Sequence, residues 1–474
     1  MRLKVITSVI VIVFVAGTFT FGYSETFNGI RLENKSIRFV FDKHRGGLIS
    51  LVDKKTGVEF RNDPEAIPLL FRVTTVDRLG RELVLTNLDA VSFEYFRQEF
   101  PDRSTLILVL RDIGVIKAEV RCTVILPKES SLAEWYIDIS SEKEFRLRSV
   151  EFPCFNGISS VGLDYKDDWY LYPCQEGVIM PRSRPYLFRL NYRPDCLFYP
   201  GDQSMQFMAL YDKTAGLYTA TYDTSGHAKR FEYYNADGHM RWQVLTLTSE
   251  EPRTTYKQIY PAVVGVFHGD WAAAAEIYRK WAWQQSWCNT PTIERSDLPD
   301  WFLQGEPLLK IHNYFEGPNS PEHLVFPLSE LPQTVLTFSR ALSSALTLCL
   351  VGWEHHAVWD NPLSMPPREG YDAFLSMVTD LHAQGNRVAL ARSVMRWAST
   401  SPGFERLGAP YAVIRKDGSL VFSHLGLFGG PSPRYAMCPA TEAWKRRMEE
   451  NAEETGSLGV DWLVMDECPL GYPH

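Results

Sequence analysis

Asp466 stands directly after the apolar run Leu463-Val464-Met465, where a buried strand leaves its core and the chain meets solvent. A carboxylate so placed can attack the anomeric carbon of a sugar and form a covalent glycosyl intermediate. An Asp at the same point can also cap a loop, and position alone leaves both readings open. Glu467, the next residue, suits a group that orients the nucleophile or binds a hydroxyl, or a solvated loop neighbour. Three earlier apolar runs end in comparable groups. Run 308–314 delivers His312, Asn313 and Tyr314; run 346–352 delivers Trp353, Glu354, His355, His356, Trp359 and Asp360; run 387–393 delivers Ser393, Arg396 and Trp397. Trp353, Glu354, Trp359 and Asp360 combine flat aromatic faces with carboxylates that accept hydrogen bonds from sugar hydroxyls. The same residues fit a long loop held by two anchoring tryptophans. Asp466 is thus the candidate catalytic residue, and Trp353, Glu354, Asp360, Ser393, Trp397 and Glu467 form the candidate substrate-binding set.

His355 and His356 raise the question of a metal. Adjacent residues of extended chain point to opposite faces, and no second ligand pair at helical spacing supports them, so no metal is expected. GxSxG, GxxxxGK[ST], HExxH and GxGxxG are all missing from the chain. That removes the sequence evidence for serine hydrolases, P-loop enzymes, zincins and dinucleotide binders, and no cofactor is expected.

The elements that would position these residues divide the chain in two. Short β-type runs at 36–41, 105–110, 118–126, 132–139, 204–211, 216–222 and 240–247 alternate apolar and polar residues and are separated by turns. Many strands with almost no helical periodicity predict a large antiparallel sandwich over 25–268. Asp270 is then a good N-cap for a helix with Trp271, Ala274, Ala275, Tyr278, Trp281, Ala282 and Gln285 on one face, and 269–300 reads as a linker of helix and loop. From 301 to 474 the pattern alternates strand and helix. Strands are expected at 308–314, 346–352, 387–393 and 460–465, and helices at 331–342 and 441–455. A further helix turns Tyr371, Phe374, Leu375, Val378 and Leu381 inward and stops at Gly385. Strand and helix units of this length are those of a (β/α)₈ barrel, in which functional groups sit at the C-terminal ends of the strands. Asp461, at the other end of the last strand, is expected to be structural. A whole barrel takes about 250 residues, and 174 follow Asp300. The expectation is therefore the first half of a barrel, strands one to four, in a fragment of a longer protein; the competing idea is a compact α/β sheet complete with four strands.

Arg2 and Lys4 precede an apolar run from Val5 to Phe21, and Gly22 and Ser24 put small residues at the third and first positions before a cut after Ser24. Residues 1–24 read as a signal peptide and predict a secreted or periplasmic protein. Thr7, Ser8, Gly17, Thr18 and Thr20 interrupt the run, and an uncleaved anchor is the alternative. No later segment could cross a bilayer. Lys plus Arg number 49 against 57 Asp plus Glu, a formal net charge of −8, and without a long basic run nucleic acid is not an expected partner. Eight cysteines without CxxC spacing exclude zinc ribbons and are too sparse for a disulfide scaffold, leaving room for one or two bridges.

Two stretches, LENKSIRFVFDKHRGGLISLVDKKTGVEF from Leu32 and YPGDQSMQFMALYDKTAGLYTATY from Tyr199, resemble the galactose-mutarotase-like sandwich that precedes the barrel in several glycoside hydrolase families. FHGDWAAAAEIYRKWAWQQSW, from Phe267, resembles the linker helix of the same proteins. MCPATEAWKRRMEENAEETGSLGVDWLVMDE, from Met437, resembles the approach to the catalytic strand in secreted barrel proteins related to α-galactosidases and endo-α-N-acetylgalactosaminidases. The resemblance implies that Asp466 is the nucleophile and that the acid/base carboxylate lies beyond the fourth strand. Members commonly carry Gln after that Asp, where this chain has Glu467. The resulting expectation is a retaining α-glycosidase of α-galactoside or α-N-acetylgalactosaminide type, with an extracellular oligo- or polysaccharide as its partner. The rivals are a non-catalytic carbohydrate-binding protein of the same architecture and a surface protein held by an uncleaved N-terminal helix.

Overall fold

The computed structural model describes residues 29–162, 164–174, 177–181, 198–201, 203–317, 320–355, 362–415, 417–425 and 433–466. The expected signal peptide, and with it the cleavage site after Ser24, lies outside the described residues, as do His356, Trp359, Asp360 and Glu467. Two units divide the chain, 1–285 and 286–474.

In the first unit, period-two alternation becomes a two-layer antiparallel sandwich. The 25-residue strand Leu132–Asn156 is its spine, and strands Arg72–Val76, Ala118–Pro127, His239–Leu247, Pro252–Lys257 and Ala262–Phe267 all pair with it antiparallel. Ala133, Trp135, Ile137 and Ile139 are buried on one side of the spine, beside Val120, Cys122, Val124 and Leu126 of its neighbour. Facing them is a three-stranded sheet, Gly29–Glu33, Ile37–Asp42 and Leu48–Asp53, whose Ile37, Phe39 and Phe41 are fully buried. Trp135 joins the layers: its ring lies 5.3 Å from Phe39, 5.7 Å from Phe41, 6.2 Å from Phe152 and 5.4 Å from Phe155.

Helix α1 (Trp271–Ala282) closes this unit, with the Asp270 side chain accepting from the Ala272 N–H as its N-cap. Ala274, Tyr278 and Ala282 are buried, and Tyr278 stacks on Phe207 at 5.3 Å. Trp271, expected on the same face, is instead exposed, because it opens the helix before the first turn meets the sheet. Among the described residues no helix is long and apolar enough to cross a membrane. Cys122, Cys154, Cys288, Cys349 and Cys438 carry free thiols.

A buried cation in the sandwich yields one expected result. Lys229 Nζ donates to Asp223 and to Gln206 Oε1, the latter at 3.1 Å, between the rings of Tyr199 and Tyr260, while His227 Nδ1 approaches the same Asp223 carboxylate at 3.1 Å. Burial pushes the ammonium down from 10.5 to about 8, against the pull of Asp223. Between those two values the unfolded chain binds more protons than the native one, so this group adds stability as pH rises through the window. Melting curves between pH 8 and 10 should show a positive slope that Lys229→Met removes; equal slopes in the two proteins would contradict the assignment.

The second unit is built on four parallel strands: β1 (Leu308–His312), β2 (Thr347–Val351), β3 (Arg387–Ser393) and β4 (Trp462–Asp466), hydrogen-bonded in that spatial order. Helices α2 (Leu331–Leu342), α3 (Gly370–Ala383) and α4 (Glu442–Gly456) fill the three crossovers. A doubly wound sheet reverses its strand order; this one proceeds edgewise without reversal. Among the described residues it does not close on itself.

The sheet has two unlike faces. Leu309, Ile311, Leu348, Leu350, Val388, Leu390 and Leu463 pack with Leu331 and Val335 of α2 and Phe374, Met377, Val378 and Leu381 of α3. Cys349, Val351, Ala389, Ala391 and Val464 form a separate cluster of smaller side chains on the opposite face. Helix α3 is rotated from the expected face, since Met377 is buried while Tyr371 and Leu375 are exposed. Between β3 and α4 the chain also makes a three-stranded antiparallel sheet of Arg396–Ala398, Phe422–Leu425 and Pro433–Ala436, with the last in the middle.

Asp461 is the structural residue expected. Its Oδ2 accepts from the Val388 N–H at 2.9 Å and lies 2.7 Å from His382 Nε2, tying the start of β3 and the end of α3 to the approach to β4. Asp461→Ala strands a backbone donor and should cost about 1 to 3 kcal/mol. Chemical denaturation of the second unit would read this, and an unchanged midpoint would contradict it.

Candidate active site

The C-terminal edge of the parallel sheet collects the chemistry-bearing residues, and strand alternation decides which face each one serves. Asp466 ends β4 two residues after Val464, so it shares the small-residue face. Its register partner is Ser393, the last residue of β3, two after Ala391. By the same alternation Lys310 and His312 of β1 lie on this face, and Lys310 acts electrostatically on both His312 and Cys349. His312 is in register with Val351, one pleat below the level of Ser393 and Asp466. One face at one edge therefore brings together an acid, a hydroxyl and an imidazole from three strands.

Their environments differ. The Asp466 side chain is exposed, and its carbonyl accepts from the Val394 N–H at 3.3 Å. Ser393 is 3% exposed, and its Oγ accepts from the Met395 N–H at 3.4 Å. Partial burial, helped by the Lys310 ammonium, holds His312 below the usual imidazole range, so it is neutral at neutral pH. Asn313 is buried as a turn-former: its N–H donates to the Val351 carbonyl at 2.9 Å, and its Oδ1 accepts from the Phe326 N–H at 3.0 Å.

The two described tryptophans of the expected binding set are core side chains. Gly352, at φ +78°, turns the chain through a conformation that glycine adopts without strain. The turn breaks the strand alternation and sends Trp353 to the helix side, where it is 1% exposed, lies 6.4 Å from Phe374 and donates Nε1–H to the Ala391 carbonyl at 3.2 Å. Trp397, also 1% exposed, belongs to the small antiparallel sheet and packs between Phe404 and Trp444. Neither offers a face for stacking. Glu354 is fully buried as well, and its charge acts electrostatically on the Arg392 guanidinium. Asp360 and Glu467 lie outside the described residues.

Arg392 is the residue that local sequence reasoning passed over. It follows Val388-Ala389-Leu390-Ala391 in an apolar strand, and a charge there needs a buried counter-charge. Burial lowers its guanidinium to about 10, with Glu354 pulling the other way. For metals, the three-carboxylate group Asp167, Asp168 and Asp212, with ligand atoms within 4.8 Å of one another, belongs to the first unit and includes no histidine.

Residues 256–473 match a family described as a domain of unknown function, DUF6259. No curated protein sequence matches the chain. Among solved structures, the α-N-acetylgalactosaminidase NagBb of Bifidobacterium bifidum in its GalNAc complex is similar, with 15% identity over 92% of this chain and 69% of that one, at a TM-score of 0.61. The same enzyme in its Gal-NHAc-DNJ complex aligns at 14% identity over 92% of this chain and 69% of that one, at a TM-score of 0.63. An α-galactosidase, AgaB of Geobacillus stearothermophilus, aligns over 93% of this chain and 65% of its own at 10% identity, with a TM-score of 0.48. The chain has a glycoside hydrolase-like fold.

Proposed function

We propose that the protein is a retaining α-glycosidase of α-galactoside or α-N-acetylgalactosaminide type, exported by residues 1–24 and acting on extracellular carbohydrate. The parallel sheet is read as one arc of a (β/α)₈ barrel, its small-residue face turned toward the axis. One observation carries the reading: Asp466 ends the fourth strand on that face, level with Ser393, where a barrel builds its site. The solved α-N-acetylgalactosaminidase of similar fold supports the substrate class.

In this mechanism an Asp466 carboxylate oxygen bonds to the anomeric carbon while the glycosidic C–O bond breaks and the leaving oxygen takes a proton from a general acid. Water then attacks the same carbon, gives its proton to that second group, and frees Asp466 with the sugar configuration retained. The second carboxyl group sits roughly 5 to 5.5 Å from the first in such enzymes, and it is assigned to none of the described residues, Glu354 being fully buried. Neutral His312 serves as a hydrogen-bond partner for a sugar hydroxyl.

Aryl α-N-acetylgalactosaminides and α-galactosides, followed by NMR of the first-formed anomer, test the proposal on the native full-length protein. Release of the α-anomer is the expected result. Release of the β-anomer would overturn the retaining mechanism, and sugar binding without turnover would favour the non-catalytic carbohydrate-binding alternative.

A further inference from the structure

The chain between β3 and α4 is pinned beside the reacting edge at both of its ends. The Val394 N–H donates to the Asp466 carbonyl at 3.3 Å, the Val394 carbonyl accepts from Trp444 Nε1–H at 3.1 Å, and the Met437 N–H donates to the Met395 carbonyl at 2.8 Å. The three-stranded sheet built by this stretch is thus rooted within two residues of Ser393.

Register partners on antiparallel strands point to the same face of a sheet. Trp397 pairs with Tyr435 and Tyr435 pairs with Phe422, so one face carries an aromatic row across all three strands. Exposure rises along the row, from Trp397 at 1% through half-buried Tyr435 to Phe422 at 43%. Phe404 stacks on Tyr435 at 5.2 Å, and the Phe422 ring stands nearly perpendicular to Tyr435 at 6.5 Å. Val421 and Ala436, next to Phe422 and Tyr435 in sequence, alternate to the opposite face and are buried there with Val413. Packing of the small sheet accounts for those residues and leaves the Phe422 ring at the surface.

Two strand spacings, about 10 Å, separate Phe422 from Trp397. The row therefore leads outward from the strand end that holds Ser393. A galacto-configured sugar turns its C3, C4 and C5 hydrogens to one side of the ring, an apolar patch that lies flat on an aromatic face. We propose that Phe422, backed by Tyr435, is the stacking platform for the sugar on the leaving-group side of the scissile bond, and so favours an oligosaccharide over a simple glycoside. This rests on the glycosidase reading, and it supplies the stacking group that the buried Trp353 and Trp397 do not.

The test compares α-galactosyl and α-N-acetylgalactosaminyl fluorides, whose leaving group carries no sugar, with raffinose and the disaccharide GalNAc-α-1,3-galactose. It uses the native full-length protein and its Phe422→Ala and Phe422→Trp variants. The ratio of kcat/KM on oligosaccharide to kcat/KM on fluoride should fall about 10-fold in Phe422→Ala, chiefly through KM, and Phe422→Trp should restore it. An unchanged ratio in Phe422→Ala, or a loss that Phe422→Trp leaves in place, would overturn the platform. The unfolding midpoint of Phe422→Ala should stay near wild type because the ring is exposed, and a large drop would make Phe422 a packing residue and overturn the proposal as well. If the wild type cleaves neither class of substrate, the glycosidase reading fails separately and calorimetric titration with the same two oligosaccharides decides. Weaker binding to Phe422→Ala than to wild type supports the platform; equal binding, or none to the wild type, overturns it.

Discussion

Asp466→Ala should reduce glycoside turnover by about 10⁴-fold while the protein still folds and still binds sugar. The substitution removes the atom that bonds to the anomeric carbon, and no neighbouring carboxylate on the same face of β1 to β4 stands ready to replace it among the described residues. The fold should tolerate it. Asp466 is exposed at the very end of an edge strand, where substitutions usually change stability by no more than about 0.5 kcal/mol. Asp461→Ala supplies the reciprocal control, as it weakens the second unit from the far end of the sheet and leaves the reacting edge intact. Parallel assays of turnover and unfolding separate the two cases. Turnover within a few-fold of wild type in the Asp466 variant would remove it from the chemistry.

Trp135→Ala should produce the largest loss of stability in the first unit, about 3 to 5 kcal/mol. The indole is fully buried between the two layers and touches aromatic rings from both, so its removal leaves a void that four rings cannot fill without moving. A loss of that size is a large fraction of the 5 to 15 kcal/mol typical of a folded domain. Hydrogen exchange along Leu132–Asn156 reads the effect directly. Protection like that of wild type along the spine would show that the layers do not depend on this side chain.

Much of the framework is legible locally because backbone periodicity and burial agree. Residues 132–139 alternate apolar and polar in sequence and alternate buried and part-buried in the fold, and Asp270 caps the helix its position announces. The four parallel strands fall on the four apolar runs of the second half, with one adjustment. Asn313 turns the chain after His312, so β1 ends there, and the Tyr314–Gly317 strand pairs with Ser320–Leu324 in a hairpin.

The binding residues are less legible, for a physical reason. A tryptophan beside a carboxylate has the same composition whether it stacks on a sugar or fills a core, and only long-range packing separates the two. Gly352 decides it for Trp353 by breaking the strand alternation, and the small sheet around Pro433–Ala436, which pairs residues far apart in sequence, decides it for Trp397. Arg392 does leave a local trace, a lone cation in an apolar strand. Glu354, whose charge acts on it, lies on another strand's loop, and neighbouring strands must be placed before that effect can be seen.

The most direct test of the central claim is to trap the reaction at its covalent stage. The native full-length protein, incubated with a fluorinated α-glycosyl donor and digested with protease, should yield one sugar-modified peptide, the one carrying Asp466 at the end of Trp462–Asp466. A sugar attached to any other carboxylate would contradict the account.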